Sequence, residues 1–211
     1  MIAKTISKQT LQRMPLYLSY LKSLPEDDTV HISATVMAND LKLNDVQVRK
    51  DLAQVSDGGR PKIGYIIKDL MKDIEHCLGY DNVDTAILIG AGNLGRALLA
   101  FDGFSEYGMD IVTAFDVDEA VIGTSVCGKQ ILPMEKLSSV CSRMKIKIGI
   151  ITVDSREAQA SCDLLVSNGV LAIWNFAPVH LHVPDHVLVQ NENMVNSLAI
   201  LSNHMAEKLS I

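Results

Sequence analysis

Apolar residues recur with two different periods along the chain, and the change of period divides it. Over residues 7–24, Leu11, Met14, Leu18 and Leu21 fall three or four apart, which predicts an amphipathic helix. Pro15 inside it either kinks the helix or starts a new one at its first turn. The polar run 25–28 ends it. Residues 33–41 predict a short helix capped by Ser33, with Val36, Met37 and Leu41 facing inward. After Lys42 and Leu43, Asn44 caps a second short helix over 45–53, whose expected apolar contacts are Val46, Val48 and Leu52. Two short helices joined by a few residues make the helix-turn-helix pattern. The turn-rich stretch 56–65 predicts a β-hairpin wing, and 66–79 an amphipathic helix closed by Gly79.

Beyond a boundary expected at 80–84, short apolar runs alternate with helical patterns. Strands are predicted at 85–90, 110–116, 130–132, 146–153 and 170–176. Between them lie a helix from Asn93, a turn at 118–123 and helices at 134–143 and 155–167. Such alternation implies a parallel sheet with helices on both faces. A last amphipathic helix is expected at 193–209. The fold class is therefore α/β. A winged helix-turn-helix over 1–80 precedes a Rossmann-like domain over 81–190, and residues 191–211 form a C-terminal helical segment.

Composition changes this picture little. The 211 residues are 48% hydrophobic and suffice for one or two cores. No apolar run approaches a membrane span and the first residues lack an apolar signal core, so the expected location is the cytoplasm. Cys77, Cys127, Cys141 and Cys162 lie far apart and read as reduced, mostly buried side chains. The net charge of −6 argues against a uniformly basic nucleic-acid binder. It is unevenly placed, however. Residues 1–80 hold 11 Lys/Arg against 10 Asp/Glu, and residues 81–211 hold 8 against 15, which suits a locally basic module on an acidic body.

The chemistry concentrates at two places. The strand ending at Ile89 runs into Gly90, Ala91, Gly92, Asn93, Leu94 and Gly95, and Asp116 ends the next strand 21 residues later. This is the dinucleotide-binding fingerprint. Gly90 and Gly92 allow a sharp turn and close approach to a pyrophosphate, and Gly95 allows the helix to pack on the strand. The N–H groups at the helix start hold phosphates, while Asp116 accepts from ribose hydroxyls and repels a 2′-phosphate, favouring NAD(H). A doubly wound fold whose glycine loop binds another phosphorylated ligand, or nothing, is the competing reading. In the N-terminal module, Gln47, Arg49 and Lys50 lie on the second helix of the pair, which in this motif enters the major groove. Arg and Lys suit guanine or phosphate and Gln suits adenine, while Arg60 and Lys62 of the wing can reach phosphates. A surface helix with ordinary solvated charges is the plainer alternative.

Catalytic signals are few. No Tyr-x-x-x-Lys pair is present. His180 and His182 share one side of an extended stretch near His186 and could hold a metal, but without a third ligand they read better as loop histidines. A binder of NAD(H) fits better than an enzyme using it. A small NAD-dependent oxidoreductase and a CoA- or nucleotide-binding subunit remain the alternatives.

The segments 47–52, 64–65, 90–98, 114–118 and 175–178, taken in order, resemble the Rex redox-sensing transcriptional repressors over nearly the whole chain. The resemblance implies a homodimer with exchanged C-terminal helices that binds a double-stranded inverted-repeat operator. It further implies that NADH favours a closed state unable to hold DNA, whereas NAD+ leaves repression in place. Arg49 and Lys50 would contact DNA. Gly90, Gly92, Gly95 and Asp116 would hold the adenosine diphosphate, with Val117 beside them. Thr152, Val153, Asn175, Phe176, Ala177 and Pro178 would line the nicotinamide end. Three positions match the family's switch: Arg13, Phe101 where many members have Tyr, and Asn193 where many have Asp. On that reading Arg13 has lost both partners, and the NADH response is expected to be weaker or differently set. The wing around Arg60 and Lys62 also departs from the family's more glycine- and arginine-rich form.

Overall fold

The computed structural model describes residues 6–25, 30–81 and 84–209, excluding the side chains at 194, 195 and 197. The turn expected at 25–28 and the boundary at 80–84 therefore lie partly outside the described residues. The chain forms two compact units, Met1–Asn82 and Val83–Ile211.

In the first unit, α1 (Lys8–Ser23) starts at Ser7, whose hydroxyl accepts from Thr10 N–H, and it runs unbroken through Pro15. A two-residue strand β1 (His31–Ile32) leads to α2 (Ala34–Asp40), capped by Ser33, and then to α3 (Asp45–Val55), capped by Asn44. Both caps accept an N–H in the first helical turn, which fixes the two helix starts from local sequence. β2 (Tyr65–Ile66) and α4 (Ile67–Leu78) follow, and Gly79 closes α4 in the left-handed conformation at φ 76°. Met14, Tyr17, Leu18, Met37, Val48, Leu52, Leu70 and Ile74 form the core of this unit.

Two expectations fail here. Val36 and Val46 face solvent rather than the core, their places being taken by Ala34, Ala38 and the inward side of α3. Period alone cannot set the phase of a helix this short. The wing is also smaller than a hairpin. β2 pairs antiparallel with β1, and between Ser56 and Tyr65 the ladder is reduced to the single bridge Arg60–Gly64. Gly64 is indispensable to it: at φ +88°, an added Cβ would stand 2.2 Å from the Ile32 carbonyl oxygen.

The second unit contains β3 (Asp84–Ile89), α5 (Asn93–Ala100), a 3-10 turn (Asp102–Tyr107) and β4 (Met109–Asp116). The hairpin β5 (Ser125–Val126) and β6 (Lys129–Pro133) comes next. A 3-10 turn (Met134–Lys136), α6 (Leu137–Met144) and β7 (Ile148–Ile151) follow. The unit closes with α7 (Ser155–Ser167), β8 (Ala172–Asn175), β9 (Leu188–Asn191) and α8 (Met194–Leu209). Among the described residues the sheet order is β5-β6-β4-β3-β7-β8-β9, parallel except where β5 meets β6. Leaving out β5, this is the doubly wound dinucleotide-binding order, whose direction reverses between β3 and β7. The expected helix at 134–143 splits into a 3-10 turn and a shorter α-helix. The hairpin partner β5 and the strand β9 were not expected. Of the cysteines, Cys141 and Cys162 are buried and Cys77 is half-buried, but Cys127 is exposed in the β5–β6 turn.

Candidate functional site

The outward stripe of α3 consists of Val46, Arg49, Lys50 and Ala53, spaced i, i+3, i+4 and i+7, all exposed. Arg49 donates through Nη2 to Asp45 Oδ2 at 2.8 Å, one turn back. The opposite flank faces α1. There Asp51, only 3% exposed, accepts from Arg13 Nε (2.7 Å) and Nη2 (2.8 Å), from Tyr17 Oη (2.9 Å) and from Thr10 Oγ1 (3.1 Å). Burial pushes the Asp51 carboxyl upward, but the hydrogen bonds from Arg13, Tyr17 and Thr10 and the guanidinium charge outweigh it, so the net direction is down. Burial and the Asp51 carboxylate together push the Tyr17 phenol up to about 12, keeping it a donor.

Arg13 is therefore not partnerless, as its expected role implied. It holds α3 through a bidentate pair with Asp51, a partner 38 positions away in sequence. Gln47 is also placed differently from expectation. With its amide oxygen turned inward, it accepts from Arg13 Nη1 (2.9 Å) and lies half-buried on the α1 side. Arg60 and Lys62 are exposed in the reduced wing, and Lys62 has a φ of 67°.

In the second unit the glycine loop sits at the sheet's reversal point. Gly90 turns at φ +100°, and a Cβ there would stand 2.8 Å from Val153 Cγ1 and 2.9 Å from the Thr152 carbonyl carbon. At Gly95 it would lie 2.0 Å from the Gly90 carbonyl oxygen. The Thr152 hydroxyl donates to that same Gly90 oxygen at 2.7 Å. Gly90, Gly95 and Thr152 thus form one close-packed knot of backbone, and Thr152 braces the loop rather than presenting its hydroxyl outward. Gly92 differs: nothing lies within 4 Å of an added Cβ. The space above it, at the start of α5 beside the exposed Asn93 and half-buried Leu94, is open to an anion.

Asp116 ends β4 facing this loop. Its Oδ2 accepts from Ala91 N–H at 2.6 Å, and its Oδ1 from the N–H groups of Val117 (2.7 Å) and Asp118 (2.9 Å). A carboxylate offers about four lone-pair sites, so capacity remains for a ribose hydroxyl. Val117 beyond it is exposed. The residues present fit a dinucleotide: an open cradle over a helix start, a tight turn beneath it, and an acid at the next strand end.

At the end of β8, Asn175 is fully buried. Its Oδ1 accepts from Ala177 N–H, and its Nδ2 donates to the carbonyls of Ala177 and Val179 and to Asn191 Oδ1. It shapes the turn carrying half-buried Phe176 and exposed Pro178, and it does not itself line a ligand surface. Trp174 of the same strand belongs to an aromatic series whose stacking the sequence did not reveal. Phe101, Phe104, Trp174 and Phe176 follow one another with ring centroids 4.9, 5.8 and 4.6 Å apart. Trp174 Nε1 donates to Glu192 Oε1 at 3.0 Å, and Glu192 N–H donates to the Asn175 carbonyl at 2.8 Å. Asn193, next in the chain, caps α8 by accepting from Asn196 N–H at 3.0 Å. Phe101 stands at the outer end of the aromatic series and is exposed. His180, His182 and His186 are exposed, the first two with ring centroids 6.0 Å apart.

Two family models match the chain, "CoA binding domain" over residues 81–179 and "Putative DNA-binding protein N-terminus" over residues 5–53. The redox-sensing transcriptional repressor Rex of Treponema denticola is 39% identical, covering 97% of this chain and 98% of its own length. That of Clostridium acetobutylicum is 36% identical, covering 94% of this chain and 93% of its own. Among solved structures, RSP in complex with beta-NAD+ and operator DNA matches with a TM-score of 0.90 and 32% identity, covering 96% of this chain and 94% of that one. RSP in complex with beta-NADH matches with a TM-score of 0.87 and 31% identity, over 97% and 96%. With identity above 30% over nearly the full length of curated relatives, the chain belongs to the family of Rex redox-sensing transcriptional repressors.

Proposed function

We propose that this protein is a DNA-binding repressor that reads the NADH/NAD+ ratio and releases its operator when NADH is bound. The observation that carries the reading is one chain holding a capped helix-turn-helix and an open glycine cradle at the reversal point of a doubly wound sheet. Residues 1–80 serve as the DNA-binding domain, 81–190 as the NAD(H)-binding domain and 191–211 as the dimerisation helix. Gly90, Ala91, Gly92, Asn93, Leu94 and Gly95 cradle the pyrophosphate, and Asp116 and Val117 meet the adenosine. Val153 and the turn from Phe176 to Pro178 meet the nicotinamide, with Thr152 and Asn175 holding those segments in shape. Arg49 and Lys50 contact DNA from α3, and Arg60 and Lys62 add phosphate contacts.

Among the described residues no helix is long and apolar enough to cross a membrane, in keeping with a cytoplasmic location. The exposed Leu198, Ile200, Leu201, Met205 and Leu209 of α8 favour a homodimer in which this helix is exchanged. The switch works with a phenyl ring at Phe101 and a neutral amide at Asn193. Arg13 already neutralises Asp51, so the contact difference between the two nucleotide states is smaller and the NADH response weaker. The deciding experiment is a mobility shift on an inverted-repeat duplex with NAD+ and NADH side by side. NADH should release the duplex and NAD+ should not; equal binding with both overturns the reading. Release at low-micromolar NADH would count against the weakened switch alone.

A further inference from the structure

We infer that Val46, on the outward stripe of α3, is a base-reading side chain that seats against a thymine 5-methyl group in the major groove. The inference rests on the reading above, in which α3 enters that groove. Val46 lies in the first turn of α3, the part of a reading helix that reaches base edges, and it is 51% exposed. Its neighbours on the stripe, Arg49 and Lys50, flank it with positive charge suited to phosphates and guanine. Nothing in the unit's own core covers it, because Val48 and Leu52 fill the inward side.

Gln47 strengthens the assignment by its absence from that stripe. An adenine-reading amide must donate and accept at once. The Gln47 oxygen turns toward α1 to accept from Arg13 Nη1, so the amide does not present its donor and acceptor together on the outward stripe. The side chain nearest the helix start and facing outward is instead an isopropyl group. Among the groups on base edges in the major groove, the thymine methyl is the apolar one, so it is the partner whose chemistry matches.

The test uses the full-length protein and a duplex it selects itself from a randomised pool. Each thymine in one half-site is replaced in turn by deoxyuridine, which removes only the methyl, and affinity is read by fluorescence anisotropy at fixed salt. Wild type should lose about 3- to 5-fold at one thymine, the size expected for burying one methyl. Val46→Ala should bind the unmodified duplex more weakly by a similar factor and be indifferent to that uracil, the non-additivity expected of two groups in contact. Alanine is a better helix former than valine, so thermal unfolding should show the variant folded. A uracil profile identical in wild type and Val46→Ala, or no thymine sensitive to its methyl, overturns the assignment. Arg49→Ala is run alongside. If it weakens duplex binding while the Val46 profiles coincide, only the Val46 contact falls. If it binds like wild type, α3 is not the reading helix and both readings fall.

Discussion

The guanidinium of Arg13 and the carboxylate of Asp51 form a two-pronged pair, Nε to Oδ2 at 2.7 Å and Nη2 to Oδ1 at 2.8 Å, that ties α1 to α3. The acid is buried and the base keeps one edge in water, so the partners are not equivalent. Removing the arginine leaves a buried carboxylate with only hydroxyl donors; removing the acid leaves a guanidinium that can turn outward.

The first prediction follows from that asymmetry. Arg13→Met should destabilise the N-terminal unit by about 3 kcal/mol, at the lower end for breaking a buried pair because Tyr17 and Thr10 still donate to Asp51. Asp51→Asn should cost less, about 1–2 kcal/mol, since the amide retains an acceptor and the exposed edge of Arg13 stays solvated. Urea denaturation followed by helical circular dichroism measures both, and an inverted order would show that the pair is not held as described.

A pH dependence accompanies it. The Asp51 carboxyl titrates below its ordinary value in the folded protein, so the unfolded chain takes up the proton first as the solution is acidified. Its contribution is therefore fully present above the ordinary aspartate value of about 4 and is lost as pH falls through the lower folded value. The stability gap between wild type and Asp51→Asn should be constant above about pH 5 and shrink below about pH 4. A gap that widened on acidification would contradict the direction of the shift.

How far the sequence revealed these arrangements depended on whether their causes were local. Ser33 and Asn44 cap their helices through groups three residues away, and the glycine fingerprint is a contiguous turn, so both were legible. The phase of α3 was not. Val46 was expected in the core, but the inward side of the helix is set by Gln47 and Asp51 reaching Arg13 on another helix. β9 escaped notice because a four-residue, mostly exposed edge strand acquires its identity only by pairing with β8. The resemblance places Asn175 at the nicotinamide end because it belongs to a recognisable motif. Its complete burial and its bonds to Ala177, Val179 and Asn191 could be seen only in three dimensions.

The glycine loop gives a paired prediction. Gly92→Ala adds a methyl to open space, so the protein should unfold at the wild-type temperature while NADH affinity falls at least about 10-fold, because the methyl occupies the phosphate position. Gly95→Ala drives a methyl into the Gly90 carbonyl, so it should lower the unfolding temperature as well as abolish binding. Calorimetric titration with NADH and thermal scans separate the two. If Gly92→Ala binds NADH normally, the phosphates do not lie over that residue.

Trp174 is the sole tryptophan, and its ring centroid lies 4.6 Å from that of Phe176 at the proposed nicotinamide end. Reduced nicotinamide absorbs where indole emits and the oxidised ring does not, so NADH should quench the intrinsic fluorescence strongly and NAD+ only weakly. The Glu192 bond adds a second readout, because it joins Trp174 Nε1 to the residue preceding the Asn193 cap of α8. Glu192→Leu leaves that indole N–H unpaired in a half-buried site, at a cost of about 1–2 kcal/mol, and should shift the emission maximum even without nucleotide. Glu192→Gln keeps an acceptor and should restore the emission. Equal quenching by both nucleotides would place the nicotinamide away from Phe176. An unchanged spectrum in Glu192→Leu would mean that the start of α8 is not coupled to this strand through the indole.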